Sequence, residues 1–406
     1  MSKTILGIIK ETKTPPDKRV PLTPAQCAEV MKRFPEVEVI AEKSDIRSYT
    51  DSEYAAAGIR LVDKATEADI LMGVKEVKAD YLIPNKKYFF FSHTFKKQPY
   101  NRKLLQTILE KKIQLIDYET LTDKNKHRII GFGRYAGIVG CYNGFLAYGK
   151  KHGLYNLKPA YQCVDRKEME GQLSKIVLPK DTKIVVTGSG RVGGGALEIL
   201  AKVGLQKVSP ADFLTKTFDH PVFTQLEAKD YYAKADGSEI DSAAFHKSGA
   251  GHISTFNRYL KVANMYMPCH YWSSTSPVII TREDLSAPDR KTTVIADISC
   301  DIQGPIASTV RASTIPDPHY GYNPQTGEEG DFMDPNCIGV MAVDNLPCEL
   351  PKDASVDYGD DLINRVLPHL FGPDPDHIIE RASETDLHGN LMPDFAYLAD
   401  YVAQKA

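Results

Sequence analysis

Residues 182–205, TKIVVTGSGRVGGGALEILAKVGL, constrain the fold of this chain more than any other stretch. A β-branched run from Thr182 to Thr187 meets a glycine turn and then a helical pattern. The glycines stand at Gly188, Gly190 and Gly193, spaced as G-x-G-x-x-G. In such a turn the first glycine permits the tight bend, the second lets the backbone approach a pyrophosphate, and the third lets the helix sit close to the strand. The helix N-terminus then offers free N–H groups and partial positive charge to phosphates. The triplet alone is a weak signal, because Gly-rich turns of α/β domains that bind nothing share it. After a strand and before a helix it marks a dinucleotide-binding Rossmann unit. It names a cofactor class, NAD or NADP, and no reaction.

The chain has 406 residues, 42% of them hydrophobic, which suits two or three domains with proper cores. Net charge is −3 with acids and bases nearly balanced. No basic block argues for nucleic acid or anionic lipid, so neither partner is expected. No apolar run approaches a membrane span. The N-terminus, MSKTILGIIKETK, lacks a signal-peptide layout. The cysteines, Cys27, Cys141, Cys163, Cys269, Cys300, Cys337 and Cys348, are odd in number and form no C-x-x-C pair. A reduced, cytoplasmic compartment is expected. Cys269 and His270 are adjacent, which is not chelating spacing, so no metal is expected.

The first part of the chain alternates short strands and helices. Strand patterns cover Thr4–Ile9, Val37–Ala41, Ile70–Val74, Tyr88–Ser92 and Ile113–Asp117. Helical patterns cover Ala25–Arg33, behind Thr23 as N-cap and Pro24, then Ser52–Ala57 and Asn101–Lys111. Gly133–Lys151 reads as a long helix between domains, and Tyr155–Asp181 as irregular. Later strands are expected at Val262–Met267, Thr292–Ile298 and Gly339–Val343. Pro210–Asn257 and Gly304–Asn336 do not look like regular elements and read as insertions. The tail from Asp394 to Gln404 has helical periodicity and is expected to dock on the first domain. The fold class is therefore α/β, with two Rossmann-like, doubly wound parallel-sheet domains and a cleft between them. The first spans 1–140 and is completed by about 350–406. The second spans 141–349, with insertions at about 210–257 and 304–336.

Ligands lie outside the carboxyl ends of parallel strands. Thr4–Ile9 is followed by Glu11 and Arg19, and Ile70–Val74 by Lys75 and Glu76. Tyr88–Ser92 is followed by His93 and Gln98, and Ile113–Asp117 by Glu119. Each of these alone is more often a solvated loop residue than a catalyst. Their common position at strand ends makes the group a candidate substrate site.

At these residues the chain resembles a known family. The segments KETKTPPDKRVPLTP (10–24), GVKE (73–76), FSHTFKKQ (91–98), LIDYE (115–119) and GFGRYAG (131–137) are similar to the saccharopine dehydrogenase and lysine–ketoglutarate reductase family. Its superfamily includes alanine dehydrogenase and the nicotinamide-binding transhydrogenase subunit. The likeness continues through TGSGRVGGGA (187–196), YWSSTSPVIITREDL (271–285), ADISCDIQG (296–304) and VDNLPCELP (343–351). The resemblance implies an NAD(P)-dependent oxidoreductase that interconverts saccharopine and water with L-lysine and 2-oxoglutarate. Hydride transfer, an imine and a carbinolamine lie on that path. It implies a small-molecule substrate and a monomer or small homo-oligomer.

The family's lysine and histidine match Lys75 and His93. One takes the amine proton and activates water; the other shuttles protons on the carbinolamine. Lysine suits that task only when burial or a nearby cation lowers its pKa. Glu76 and Glu119 match the acids that tune the pair. The substrate carries carboxylates, which the guanidinium fork binds bidentately, and Arg19 and Arg128 match the family's carboxylate binders. Gln98, Phe132, Ser299, Cys300 and Asp301 match its other substrate contacts. On the cofactor side Gly188, Gly190, Arg191 and Gly193 match the phosphate turn, with Tyr271, Ile298, Val343, Asp344, Asn345 and Leu346 further along.

Some positions depart from the pattern. An acid is wanted at the tip of the second strand for the ribose 2′-hydroxyl of NAD. That strand reads as Lys207-Val208, followed by Ser209 and Pro210, and no acid stands at its tip. NAD and NADP therefore stay open, as does the physiological direction. His127 replaces an arginine of the fungal form, and Val192 replaces one of its two cysteines, so Cys269 is not expected to form a disulfide. An alanine-dehydrogenase-like enzyme and a non-catalytic nucleotide-binding sensor are the alternatives.

Overall fold

The computed structural model describes residues 3–404 except 237, 239, 242–244, 246 and 247. The chain forms two compact units, one made of residues up to Phe132 together with those from Pro351 onward, the other of Gly133–Leu350.

The first unit is built on a 6-stranded sheet. Its strands are β1 (Thr4–Ile8), β2 (Val37–Glu42), β3 (Arg60–Val62), β4 (Ile70–Met72), β5 (Lys87–Phe90) and β6 (Gln114–Asp117). All pair in parallel, in the order β3-β2-β1-β4-β5-β6. The chain moves outward from β1 to β3 and returns beside β1 as β4, so the switch point lies between β1 and β4. Elements expected from hydrophobic periodicity lie within two residues of their observed ends. Among its strands only β3 was not expected, since three residues at a sheet edge carry too short a pattern; the helices Pro351–Arg365, Leu367–Phe371 and Ile378–Ala382 were not expected either. Ile40, Leu71, Tyr88, Phe90, Ile108 and Leu115 belong to one buried cluster. Each contributes about 1.5–3 kcal/mol by leaving water.

The helix Pro24–Arg33 starts with a capping box between Thr23 and Gln26, with proline at its first position. The Gln26 amide also donates to Asp360 and to the Val356 carbonyl on the helix Pro351–Arg365, which fastens the returning chain to the start of the unit. The end of the chain packs Phe395, Leu398 and Tyr401 around Leu105.

The second unit holds an 8-stranded sheet. Its members are β7 (Lys183–Thr187), β8 (Gln206–Lys207), β9 (Val222–Leu226), β12 (Met265–Pro268), β13 (Val294–Ala296), β14 (His319–Asn323), β15 (Glu328–Gly330) and β16 (Ile338–Met341). A separate pair, β10 (Tyr232–Lys234) and β11 (His252–Ser254), lies outside it. The order is β15-β14-β16-β13-β12-β7-β9-β8, parallel except at β14 and β15. Sheet strands thus run through both stretches that read as irregular. VFTQL and HYGYN mix polar and apolar residues in five positions, too few to show a period. The 155–181 stretch likewise contains a short helix, Arg166–Gly171, capped by Asp165.

The helix Gly133–His152 belongs wholly to the second unit and crosses the helix Arg191–Val203. Their glycine faces bring backbones together, Gly137 against the Val192 carbonyl and Gly195 against that of Arg134. Among the described residues no helix is long and apolar enough to cross a membrane.

Candidate active site

Side chains at the carboxyl ends of β4, β5 and β6 meet around His93. His93 follows β5 in the left-handed region, with φ of 56°. Its Nδ1 lies 2.8 Å from Glu76 Oε1, and its Nε2 lies 3.7 Å from Glu119 Oε2. Glu76 also accepts from Lys13 at 2.7 Å. Burial alone would raise the Glu76 carboxyl, but the bonds from His93 and Lys13 outweigh it and hold it down to about 2. Glu119 takes Lys96 at 2.7 Å and Arg128 at 3.1 Å. Burial opposes its ionisation, and Arg128, Lys96 and His93 together keep it below the usual carboxylate range. A histidine held between two ionised carboxylates is equipped to take up a proton and release it.

A second group gathers behind β1. Asp17 receives the Arg19 fork, with Nε at 3.0 Å and one Nη at 2.6 Å. Both side chains are buried. Burial pushes the Asp17 carboxyl up, yet Arg19, with Lys75 nearby, brings it down to about 2. Glu11 accepts the backbone N–H groups of Val74 and Lys75 at 2.6 and 2.9 Å. Burial and the Asp17 charge raise Glu11 to about 8 despite those amides. Lys75 thus projects from a backbone that a buried carboxyl holds in place. Glu11 appeared among the strand-end residues but not in the candidate site, and Asp17 was not read as part of it. No sequence spacing identifies a carboxylate whose partner is an arginine two residues on.

Phe132 forms the floor of this region. Its ring stacks on Tyr358 with centroids 4.3 Å apart, and the Arg19 guanidinium lies 4.1 Å above it. Arg128 is 40% exposed while Arg19 is 3% exposed. The Gln98 side chain accepts from the Tyr100 hydroxyl, and its carbonyl from Tyr401. His127 is exposed, 3.6 Å from Asp123.

The glycine turn of the second unit has the geometry of a phosphate cradle. Gly188 has φ of 96°, and a Cβ there would lie 2.5 Å from the Cys269 carbonyl oxygen. A Cβ on Gly193 would lie 2.2 Å from the Gly188 carbonyl oxygen, which is why the helix can approach the strand. Gly190 is the N-cap of the helix Arg191–Val203 and faces open space. Gly190 has no side chain to cap the helix, and a helix N-terminus behind such a turn fits a pyrophosphate. The turn opens into a cavity of about 600 Å³. Gly188, Gly190, Arg191, Tyr271, Ile298, Ser299 and Asp301 line it; Gly193, Cys300, Val343, Asp344, Asn345 and Leu346 lie outside its lining.

The missing acid of the second strand is found by topology. The strand beside β7 is β9, not Lys207-Val208. Register pairs Thr187 with Leu226, so Glu227 stands next to Gly188 and lines the cavity. Ser209 is a helix cap: its hydroxyl accepts from the Asp212 N–H, with Pro210 at the first helical position. The edge strand and helix between 206 and 215 push the acid well beyond the usual spacing of about 20 residues.

Across the cavity Asp297 anchors the turn that carries Ser299 and Cys300, accepting both backbone N–H groups at 3.1 Å and the Thr309 hydroxyl at 2.6 Å. Burial raises it to about 6. The Cys300 thiol donates to the Ala342 carbonyl, and burial also raises Asp301. All seven cysteines are free thiols. Among the described residues no cluster of His, Cys, Asp or Glu is arranged to hold a metal ion.

His270 lines the same cavity. Its Nδ1 lies 2.8 Å from the Thr187 hydroxyl, and burial lowers its pKa from 6.5 to about 4. A depressed histidine contributes stability that is present above its unfolded pKa and lost as pH falls through the folded one. We therefore expect stability to decline from about pH 6.5 toward pH 4, with His270→Asn flattening that slope by one proton's worth. Denaturant midpoints measured across this range, with an unchanged slope in the variant, would refute it.

Residues 7–139 match the family model described as the alanine dehydrogenase/PNT N-terminal domain. The mitochondrial alpha-aminoadipic semialdehyde synthase of Rattus norvegicus is 29% identical over 403 residues, covering 88% of this chain and 43% of that protein. The chain thus spans less than half the length of that relative. The saccharopine dehydrogenase [NAD(+), L-lysine-forming] of Neurospora crassa is 25% identical, covering 90% of this chain and 91% of that protein. An L-alanine dehydrogenase structure superposes with a TM-score of 0.65 at 17% identity over 98% of this chain and all of its own, a likeness of fold. Motifs, sheet order and relatives agree: over most of its length the chain is similar to the saccharopine dehydrogenases, and its residues 7–139 to the alanine dehydrogenase/PNT N-terminal domain.

Proposed function

We propose that this chain is a saccharopine dehydrogenase of the L-lysine-forming type, interconverting saccharopine, NAD and water with L-lysine, 2-oxoglutarate and NADH. The observation that carries the reading is His93 held between Glu76 and Glu119, with Arg128 on the same acid and Lys75 on the neighbouring strand end. The names of the rat and fungal relatives support the substrate. The nicotinamide, when bound, supplies the hydride acceptor. Lys75 takes the proton of the substrate amine and, once that proton has passed to solvent, its free amine activates water on the imine carbon. His93 moves the protons that convert the carbinolamine to amine and ketone, while Glu76 and Glu119 stabilise its charged form. Arg128 binds a substrate carboxylate, and Arg19, held by Asp17, fixes the ring of Phe132. Free thiols support a reducing, cytoplasmic compartment.

The cofactor is NAD on the strength of Glu227. A carboxylate at that strand tip accepts from ribose hydroxyls and repels a 2′-phosphate. Wild-type protein is expected to prefer NAD over NADP by at least about tenfold in kcat/KM, equivalent to ~1.4 kcal/mol. Glu227 lies 3.4 Å from Lys229, so Glu227→Ser leaves a cation for the phosphate and reverses the preference. Assay of saccharopine with each cofactor at the nicotinamide absorbance band tests both statements. Turnover of pyruvate and ammonia in place of saccharopine would support the alanine-dehydrogenase reading instead.

A further inference from the structure

Beneath the His93 loop lies a polar network to which the proposed chemistry gives no part. Asp117, at the end of β6, is fully buried, and so is Glu384 from the returning C-terminal segment. Asp117 Oδ2 accepts the backbone N–H of Ser92 at 2.7 Å, that of His93 at 3.0 Å, and the Ser92 hydroxyl at 2.6 Å. Its Oδ1 accepts the backbone N–H of Glu119 at 2.6 Å. One carboxylate therefore holds the main chain of both His93 and Glu119, whose side chains face each other at 3.7 Å. It also explains how a histidine rests in the left-handed region at the tip of a strand.

Glu384 approaches from the other side. Its Oε2 accepts the Thr94 hydroxyl at 2.6 Å, and its Oε1 lies 3.2 Å from the Ser92 hydroxyl. Ser92 thus joins two buried carboxyls, and like charges so placed do not both ionise. Asp117, with three backbone N–H donors and a hydroxyl, is built for the charged form. Glu384, with two hydroxyl donors and no backbone N–H, is the member of the pair suited to hold the proton. Burial and the Asp117 charge push Glu384 up to about 8, which agrees with that assignment.

We propose that Asp117, with Glu384 as its proton-holding partner, is a positioning residue that sets the backbone from which His93 and Glu119 reach the substrate. The proposal rests on the saccharopine reading. Steady-state kinetics on the full-length protein test it with Asp117→Asn, Ser92→Ala, Glu384→Ala and Glu384→Gln. Expected are falls in kcat of at least about tenfold in Asp117→Asn and about threefold or more in Ser92→Ala and Glu384→Ala. KM for saccharopine and for NAD stays within about twofold of wild type, because neither site loses a contact. Glu384→Gln, neutral and of the same shape, restores kcat relative to Glu384→Ala. Ser92→Ala leaves every backbone bond to Asp117 in place and so serves even where Asp117→Asn does not fold. Full kcat in a folded Asp117→Asn or in Ser92→Ala, or equal losses in Glu384→Gln and Glu384→Ala, overturns this proposal alone. A wild-type protein that binds NAD yet turns over no saccharopine overturns the functional reading, and this proposal with it.

Discussion

Lys75→Met is expected to lower turnover of saccharopine by about 10²–10⁴-fold, the loss that follows removal of a positioned acid–base group. NAD affinity should stay within about twofold of wild type, because the phosphate cradle at 188–193 belongs to the other compact unit. Methionine is the informative replacement. It keeps the length and most of the apolar stem of lysine and removes only the ammonium. The local fold does not depend on that ammonium: the tie to Glu11 runs through the Lys75 backbone N–H. Asp17 loses a nearby cation but keeps the Arg19 fork. A variant that folds, binds NAD and does not turn over separates chemistry from binding. Partial recovery of rate on adding a small primary amine would identify the missing group as a base. Unchanged turnover would refute the role of Lys75 outright.

How much of this was legible in the sequence depends on how far apart the cooperating residues lie. The parallel sheet of the first unit shows in local periodicity, because each strand carries its own apolar run and each turn its own breakers. Lys75, Glu76, His93 and Glu119 follow those strands directly, so the rule that ligands sit at carboxyl ends found them together. Glu227 was not legible because spacing stood in for topology. Ser209 sits at the expected distance, and only sheet order shows that β9, not β8, lies beside the glycine strand. A two-residue edge strand and a short helix are invisible to a rule that counts residues. Asp117 and Glu384 were hidden for a different reason. Their partnership is made by one serine hydroxyl between segments remote in the chain, and nothing local marks an acid near the C-terminus as buried. The commitment of Arg19 to Asp17 is likewise a fact of packing. A resemblance can match a residue to a role, but whether its polar atoms are already taken is decided by neighbours that the motif does not contain.

Two single substitutions in the glycine turn are expected to part the fold from the ligand. Gly188→Ala places a Cβ 2.5 Å from the Cys269 carbonyl oxygen on a backbone with φ of 96°. Strain in that conformation costs about 1–2 kcal/mol before the clash is counted. Relief requires the turn to move away from β12, to whose end it is packed. The second unit should lose at least about 4 °C in Tm, and NAD binding should fall by two orders of magnitude or more, because the amides that receive the pyrophosphate move with the turn. Gly190→Ala is the contrast. Its φ is −77°, and nothing lies within 4 Å of the added Cβ. The unliganded protein should tolerate it with Tm changed by no more than about 1 °C, since an unstrained Gly→Ala change is neutral or slightly stabilising. The methyl nevertheless occupies the space over the helix N-terminus that a pyrophosphate needs. NAD affinity should therefore fall by at least about tenfold, or ~1.4 kcal/mol, in a protein as stable as wild type. Thermal scans without nucleotide and a binding titration with NAD measure the two effects separately. A Gly190→Ala protein that binds NAD normally would mean that the pyrophosphate does not pass over this turn, and would remove the structural basis for reading Glu227 as the ribose acid.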